Sequence, residues 1–417
     1  MCSSDLLTHV YVYQYPEMIS LKHELNSVKQ KLDPIHVDPA SAKKYATIAN
    51  LVRSHDDLRG PSGILAKDYG AEIVTNAWLK MFELMNFAHS LLDKLQKSKT
   101  KKTFNSLHVA EAPGNFLLSI NHKLRTEYPS VEWNWLASSF RDLYSEGNVH
   151  YLEDQYGLIS AFPNNWIFGA DGDGDITSVA NIRSFAQSLQ DGECQLVTSD
   201  VKYVPIDVNF DEEENINIPV HLGHLLIALT SLSKGGIMIL KEFTLFEAPS
   251  ISMVYLMTQC FNNVRIVKPE TSRPANSEIY IVGIDYKKNL NLLQIEALLD
   301  IMKYIRPLNT EAGSPAIFRK NDIPQTFVDK IVRIQSALVR SQIKQIERNL
   351  ALFEKYTQEE YRGNDRQIKK DLGPLREATA KEWIEKTGIR VLNREHWMMK
   401  PRESYGRRGG RENYRRY

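Results

Sequence analysis

Short apolar runs of strand length alternate along this chain with longer stretches whose apolar positions recur every three or four residues. The first run, Leu107 to Ala110, opens "SLHVAEAPGNFLLSINHKL" and breaks at Glu111-Ala112-Pro113-Gly114, after which an amphipathic segment begins at once. A strand, a tight turn and a helix follow from that order. Further strand candidates are "WNWLASS", "CQLVTSD", "GIMILKEF", "VRIVKP" and "IYIVGIDY". Upstream, "AEIVTNAWLKMFELMNFAHSLLDKL" places Val74, Trp78, Met81 and Met85 at helical spacing. "VHLGHLLIALTSLSKGG" reads as another helix, with Gly235 and Gly236 as its stop. Strands alternating with helices predict an α/β fold: a largely parallel, Rossmann-like sheet with helices on both faces. No long helix fits between the last two runs, so they are expected to form an antiparallel hairpin at one edge.

The flanks follow other patterns. Residues 1–65 mix short helical stretches with proline breaks and end at "RGPSG", which marks an N-terminal accessory region. The sheet-forming domain is assigned to 66–290 and a helical region to 291–399. In the latter, Val332, Val339, Ile343, Ile346, Leu350 and Phe353 recur at steps of three, four or seven. That stripe is too short to establish a coiled coil and predicts a helix packed on its own domain. The segment 400–417, "KPRESYGRRGGRENYRRY", reads as a basic, disordered tail that either contacts RNA or only solubilises.

Composition narrows the classes. Hydrophobic residues make up 42% of the 417, enough for a large core, and 52 basic residues against 51 acidic leave no global field for nucleic acid. Any RNA contact must then rest on local patches. Cys2, Cys194 and Cys260 form neither a metal-ligand spacing nor a disulfide framework, so no metal is expected. The first residues lack a signal-peptide pattern, and no apolar run approaches the roughly 18 residues of a membrane span. A soluble, intracellular protein with no membrane partner is the expectation.

The turn after the first strand has no GxGxxG and no P-loop lysine. A glycine that lets a ligand approach, with an acidic residue beside it, suits a nucleoside cofactor that carries positive charge, such as S-adenosyl-L-methionine; a plain Pro-Gly turn is the alternative. Asp200 and Lys241 end two apolar runs, on the sheet edge where ligands collect. Lys80 lies on the helix before the sheet, and Glu278 lies just before the last run. Each has a structural alternative: a Lys80–Glu83 helix pair, a turn cap at Asp200, a solvated strand end at Lys241 and an edge charge at Glu278.

Taken in order, "IVTNAWLKMFEL", "LHVAEAPGNFLLSINHKL", "EWNWLASS", "GDGDITSVANI", "CQLVTSD", "LSKGGIMILKEFTLFE" and "SRPANSEIYIVG" closely resemble the FtsJ-like ribose 2'-O-methyltransferases. The wording is most similar to the cap 2 branch, the Adrift type, and to relatives encoded by large DNA viruses. The resemblance implies a catalytic Lys-Asp-Lys-Glu tetrad at Lys80, Asp200, Lys241 and Glu278. It also implies a methyl-donor site at Glu111, Ala112, Pro113, Gly114, Asn115 and Asp200, with Trp133 and Asp175 flanking the adenosine.

The implied activity is methyl transfer from S-adenosyl-L-methionine to a ribose 2'-hydroxyl at the first or second transcribed nucleotide of capped mRNA. Lys241 would be the base or the group that steers the hydroxyl, with Lys80 the neighbouring cation and both acids holding the ammonium groups. One departure stands out: Val201 follows Asp200 where relatives usually carry glycine, and a β-branched residue resists a left-handed backbone. The loop "VPIDVNFDEEEN" is expected to be solvated. "QKSKTKK", Arg273 and the tail are the candidate RNA contacts, and the terminal regions are where a protein partner would bind. Two other readings are a non-catalytic RNA-binding or virion scaffold protein, and an enzyme acting on ribosomal or transfer RNA. Localisation would be cytoplasmic, at replication sites or in particles, if viral; otherwise nuclear or cytoplasmic.

Overall fold

A computed structural model describes residues 11–51, 55–100, 102–141, 152–189, 194–203, 212–305, 315–357 and 365–399. The basic tail, and Lys101 within the basic run, lie outside the described residues. The chain begins with β1 (Tyr11–Val12), α1 (Pro16–Lys29), α2 (Asp33–Val37), α3 (Pro39–Leu51) and α4 (Ile64–Asp68). Then come α5 (Asn76–Leu84), α6 (His89–Lys97), β2 (Thr103–Val109), α7 (Asn115–Glu127), β3 (Glu132–Ala137), α8 (Leu158–Ala161) and α9 (Val179–Gln187). The second half holds β4 (Cys194–Ser199), α10 (Glu213–Ser231), β5 (Leu232–Glu242), α11 (Ala248–Cys260), β6 (Phe261–Val267) and β7 (Ile279–Tyr286). It ends with α12 (Leu292–Ile301), β8 (Pro315–Ala316), α13 (Gln325–Thr357) and α14 (Asp365–Thr387).

Six strands form one sheet in the order β3-β2-β4-β5-β7-β6. Neighbours from β3 to β5 pair in parallel, whereas β7 runs antiparallel to both β5 and β6. The expected hairpin of the last two runs is therefore present, and its second strand lies inside the sheet. Alternation along β5 shows how the faces are covered. Ile237 and Ile239 pack with Met81, Phe116 and Ile120 under α5 and α7. Met238 and Leu240 join Leu225, Val254 and Val339 from α10, α11 and α13.

Several expectations are corrected in detail. The helix before β5 stops at Ser231, and Gly235 and Gly236 lie within the strand. Cys194 pairs with Leu232 but Leu196 pairs with Ile237, so the extra residues bulge out, and Gly235 supplies the left-handed φ of 85°. The segment 71–95 is two helices, α5 and α6, joined by a 3₁₀ turn at Met85–Ala88. The terminal regions pack against the sheet domain. Strand β1 pairs with β8, Tyr11 opposite Ala316, and Met18 and Leu25 of α1 share one core with Ile346 of α13 and the sheet. The apolar stripe of α13 is buried at Val339 and Ile346, as expected of a helix packed on its own domain. Among the described residues no helix is long and apolar enough to cross a membrane, and no group of three or more His, Cys, Asp or Glu is placed to hold a metal ion.

Candidate active site

At the end of β2, Ala110 takes a left-handed φ of 55°, and Gly114, with φ 115° and ψ 26°, caps α7. A Cβ at Gly114 would also lie 2.3 Å from Leu158 Cδ1, so the position is confined as well as twisted. Glu111 turns its carboxylate onto the start of α7, where Phe116 N and Leu117 N donate to Oε1 at 2.8 and 3.0 Å. Two helix N–H groups without an intrahelical partner are thereby satisfied. Burial nonetheless pushes the Glu111 carboxyl up to about 8, and the charge of Asp200 adds to that push. The turn is tied to the end of β3, since Glu111 N donates to Ser138 O and Ala112 N to Ser139 Oγ. It is tied to α5 as well: Asn115 Oδ1 accepts from Thr75 Oγ1, at the N-cap of that helix, and from Tyr156 OH.

Because β7 is antiparallel, its beginning lies at the edge where β4 and β5 end, and Lys241 is paired with Tyr280. Glu278, two residues ahead of Tyr280, thus stands beside Asp200 and Lys241. Lys241 shares the face of Ile237 and Ile239, the face that α5 covers, and α5 delivers Lys80 there. Lys80 Nζ lies 2.9 Å from Glu278 Oε2 and 3.6 Å from Asp200 Oδ1, and Lys241 Nζ lies 3.2 Å from Asp200 Oδ1 and 3.7 Å from Glu278 Oε2. Two cations and two anions alternate around one ring. Lys80, Lys241 and Glu278 are buried, whereas the Asp200 side chain keeps 21% of its surface and marks the open side.

Burial disfavours each charge, and the opposite charges decide the outcome. For Glu278, burial would raise the pKa, but Lys80 and Lys241 hold it down to about 2. For Lys80, burial would lower it, yet Asp200 and Glu278 together carry it above the ordinary lysine value. Lys80 is therefore a fixed cation and Glu278 a fixed anion across physiological pH.

Three supports were not foreseen from the sequence. Tyr280 OH donates to Asp200 Oδ1 at 2.6 Å, and its ring lies under Lys80 at 5.5 Å. Lys268, just past the end of β6, donates to Asn276 O, Asn276 Oδ1 and Glu278 O at 2.8 to 2.9 Å, and so holds the loop that leads to Glu278. Glu83, one turn beyond Lys80, accepts from Glu270 N, Thr271 N and Thr271 Oγ1, and also from Trp383 Nε1 of α14. Spacing held a signal for Tyr280, which shares the strand face of Glu278; for Lys268 and Trp383 only the fold reveals the partner.

Residues 73–286 match the family pattern described as FtsJ-like methyltransferase. The chain belongs to that family. It is 31% identical over 392 residues to the cap-specific mRNA (nucleoside-2'-O-)-methyltransferase 2 of Danio rerio, spanning 92% of this chain and 49% of that protein. It is 36% identical over 271 residues to the probable methyltransferase EP424R of African swine fever virus, strain Badajoz 1971 Vero-adapted, covering 62% and 59% respectively. This FtsJ-like chain spans about half the length of the curated relatives it matches. A ribosomal RNA methyltransferase structure from Plasmodium falciparum aligns over 49% of this chain and 96% of that one, at 17% identity and a TM-score of 0.33, too distant to carry an argument.

Within the FtsJ-like domain, other expectations fare unevenly. Trp133 pairs with Phe104 near the beginning of β3, four residues or about 13 Å from the strand end that faces the turn. Its indole donates to Ser106 Oγ, so the adenosine role is withdrawn. The loop of Asp175 packs on the segment after β3, at the edge where that strand ends: Arg141 N donates to Asp173 O. One Asp175 oxygen is taken by Thr177 N and Oγ1. Val201 keeps its backbone outside the left-handed region, and its N–H donates to Ser199 Oγ, so the missing glycine imposes no strain. In the acidic loop 204–215, residues 204–211 lie outside the described residues. Its end is not solvated: Glu214 is buried and accepts from Thr244 Oγ1, Phe246 N and Glu247 N.

Beside the tetrad, a cleft of about 350 Å³ opens between α2, α3, α13 and the loop through Ser272 and Asn276. Tyr45, His55, Arg59 and Arg273 line it. Burial lowers the pKa of Arg59, and the nearby charge of Arg273 lowers it further. Asp56, which also lines the cleft, pairs with Arg59, so the charge of Arg59 is offset there. The cleft and the tetrad share Ser272, which donates to Glu278 Oε1 at 2.8 Å.

Proposed function

We propose that this chain transfers a methyl group from S-adenosyl-L-methionine to a ribose 2'-hydroxyl at the first or second transcribed nucleotide of capped mRNA. The observation that carries this reading is the closed ring of Lys80, Asp200, Lys241 and Glu278 at the carboxyl edge of the sheet. The donor set suits a cationic cofactor, because a positive group beside Glu111 and Asp200 would favour the ionised form of the buried Glu111 carboxyl. Gly114 and the first turn of α7 would hold it, and when bound it supplies an activated sulfonium methyl.

The protein's own part is alignment and proton handling. Glu278 and Asp200 fix both ammonium groups, and Tyr280 fixes Asp200 from behind. Lys80 stays charged, so Lys241, the other amine of the ring, is the group placed to steer the 2'-hydroxyl or take its proton. Arg273, on the cleft beside Ser272, is where phosphates of the capped end would meet the protein. The relatives named for cap-specific transfer support the choice of substrate. The scaffold alternative loses its one favouring feature, since Val201 fits without strain.

The test is transfer of labelled methyl to short capped RNAs, either unmethylated or already methylated at the first nucleotide, by the protein and by Lys241→Ala. Product mapped to a 2'-oxygen and lost in the variant, with RNA binding retained, supports the proposal. Transfer that survives the substitution, or absence of donor binding in the wild type, refutes it.

A further inference from the structure

Three features outside the reaction site converge at the opposite edge of the sheet. The beginnings of β2 and β3 open onto a groove of about 870 Å³, within the range of ligand-binding clefts. Trp133, Trp135 and Trp397 line it, half of the six tryptophans in the chain. Their polar ends are spoken for where the fold needs them: the Trp133 indole N–H donates to Ser106 Oγ and that of Trp397 to Gly70 O. Partly exposed ring surface is left at Trp133 and Trp397, among the amides of Asn105, Asn134 and Asn165.

The rim is basic. Arg125 lines the groove and is exposed; Lys102, also exposed, immediately precedes the lining residue Thr103; and Arg394 lies 5.4 Å from the Trp397 ring. Glu132 is the acidic neighbour on the strand and Glu395 the one on the turn.

We propose that this groove is a second, non-catalytic site for single-stranded RNA. Aromatic faces stack bases whatever their sequence, amides meet base edges, and a cationic rim takes the phosphates. The rings and the rim come from separate parts of the chain and meet only in the fold. The inference rests on the cap-methyltransferase reading for its purpose: the body of a capped transcript would be held while its first nucleotides enter the tetrad on the far edge.

The test uses the full chain and the double variant Arg125→Glu, Lys102→Glu, both exposed positions away from the tetrad. Quenching of tryptophan fluorescence by an uncapped single strand of about thirty nucleotides needs no catalysis. The expected result is a Kd raised about tenfold in the variant, with the salt slope reduced by about one per lost cation. For methyl transfer, KM should rise similarly for a long capped RNA, while KM and kcat for a capped RNA of about five nucleotides stay at the wild-type value. Unchanged quenching and unchanged KM on the long RNA overturn the proposal, and so does an equal loss on both lengths. If the wild type methylates neither RNA, the catalytic reading fails, and the quenching titration still decides the groove.

Discussion

Lys268→Met would separate stability from catalysis. Burial pushes the Lys268 pKa down to about 8, against 10.5 for a free lysine. Between those values the unfolded chain holds a proton that the folded protein has already released. Stability from this residue is thus fully present above pH 10.5 and is lost as pH falls toward 8. At about 1.4 kcal/mol per pH unit, the window is worth at most about 3 kcal/mol. Methionine keeps much of the apolar stem and carries no proton, so the variant should lose this pH dependence. It also leaves Asn276 O, Asn276 Oδ1 and Glu278 O without their donor, which opposes the gain from removing a buried charge. Near pH 7 the variant should therefore fold, while Glu278 loses its anchor and kcat falls between ten- and a hundredfold. Denaturant unfolding from pH 7 to 10.5, with methyl transfer on the same samples, measures both. Parallel stability curves for the two proteins, or an unchanged kcat, would refute the argument.

Three further outcomes follow from the same geometry. Tyr280→Phe keeps the ring under Lys80 and removes the hydrogen bond to Asp200; because bonds to charged groups contribute about 1.5–3 kcal/mol, kcat should fall about tenfold or more and the melting temperature should drop as well. Gly114→Ala puts a Cβ against Leu158 at a φ of 115°, and calorimetric titration should show donor affinity reduced by at least about tenfold together with a lower Tm. Glu111 is protonated below about 8, and a bound cation favours its ionised form. Affinity for S-adenosyl-L-methionine should therefore rise with pH up to about 8, a slope that Glu111→Gln abolishes and that S-adenosylhomocysteine, which lacks the sulfonium charge, shows only weakly.

Much of the site was legible because its residues sit where periodicity changes: Asp200 and Lys241 at the ends of apolar strands, Gly114 at a strand-to-helix turn. Their convergence follows from strand order, which short-range pattern does not encode. Trp133 illustrates the loss. A tryptophan in a strand next to the donor strand looks equally apt at either end, and only the register opposite Phe104 puts it on the wrong edge. Gly235 and Gly236 misled in the same way, because a glycine pair reads as a helix stop until the bulge against Cys194 is seen. How the flanking regions pack on the sheet domain is invisible to local pattern, since partners there lie about three hundred residues apart in sequence: Tyr11 pairs with Ala316. Lys268 looked like any lysine before a proline.

Glu83 accepts from the loop before Glu278 and from Trp383, which gives the site an order in time. A ribosome emits Glu278, the last of the four tetrad residues, 105 residues before it emits Trp383, which completes their scaffold. A nascent chain thus carries all four charged groups into the cell before it can hold them in place. The ring's support arrives late in translation, and a messenger cut short after the last strand would yield a protein with all four charged side chains and an unfinished scaffold around them.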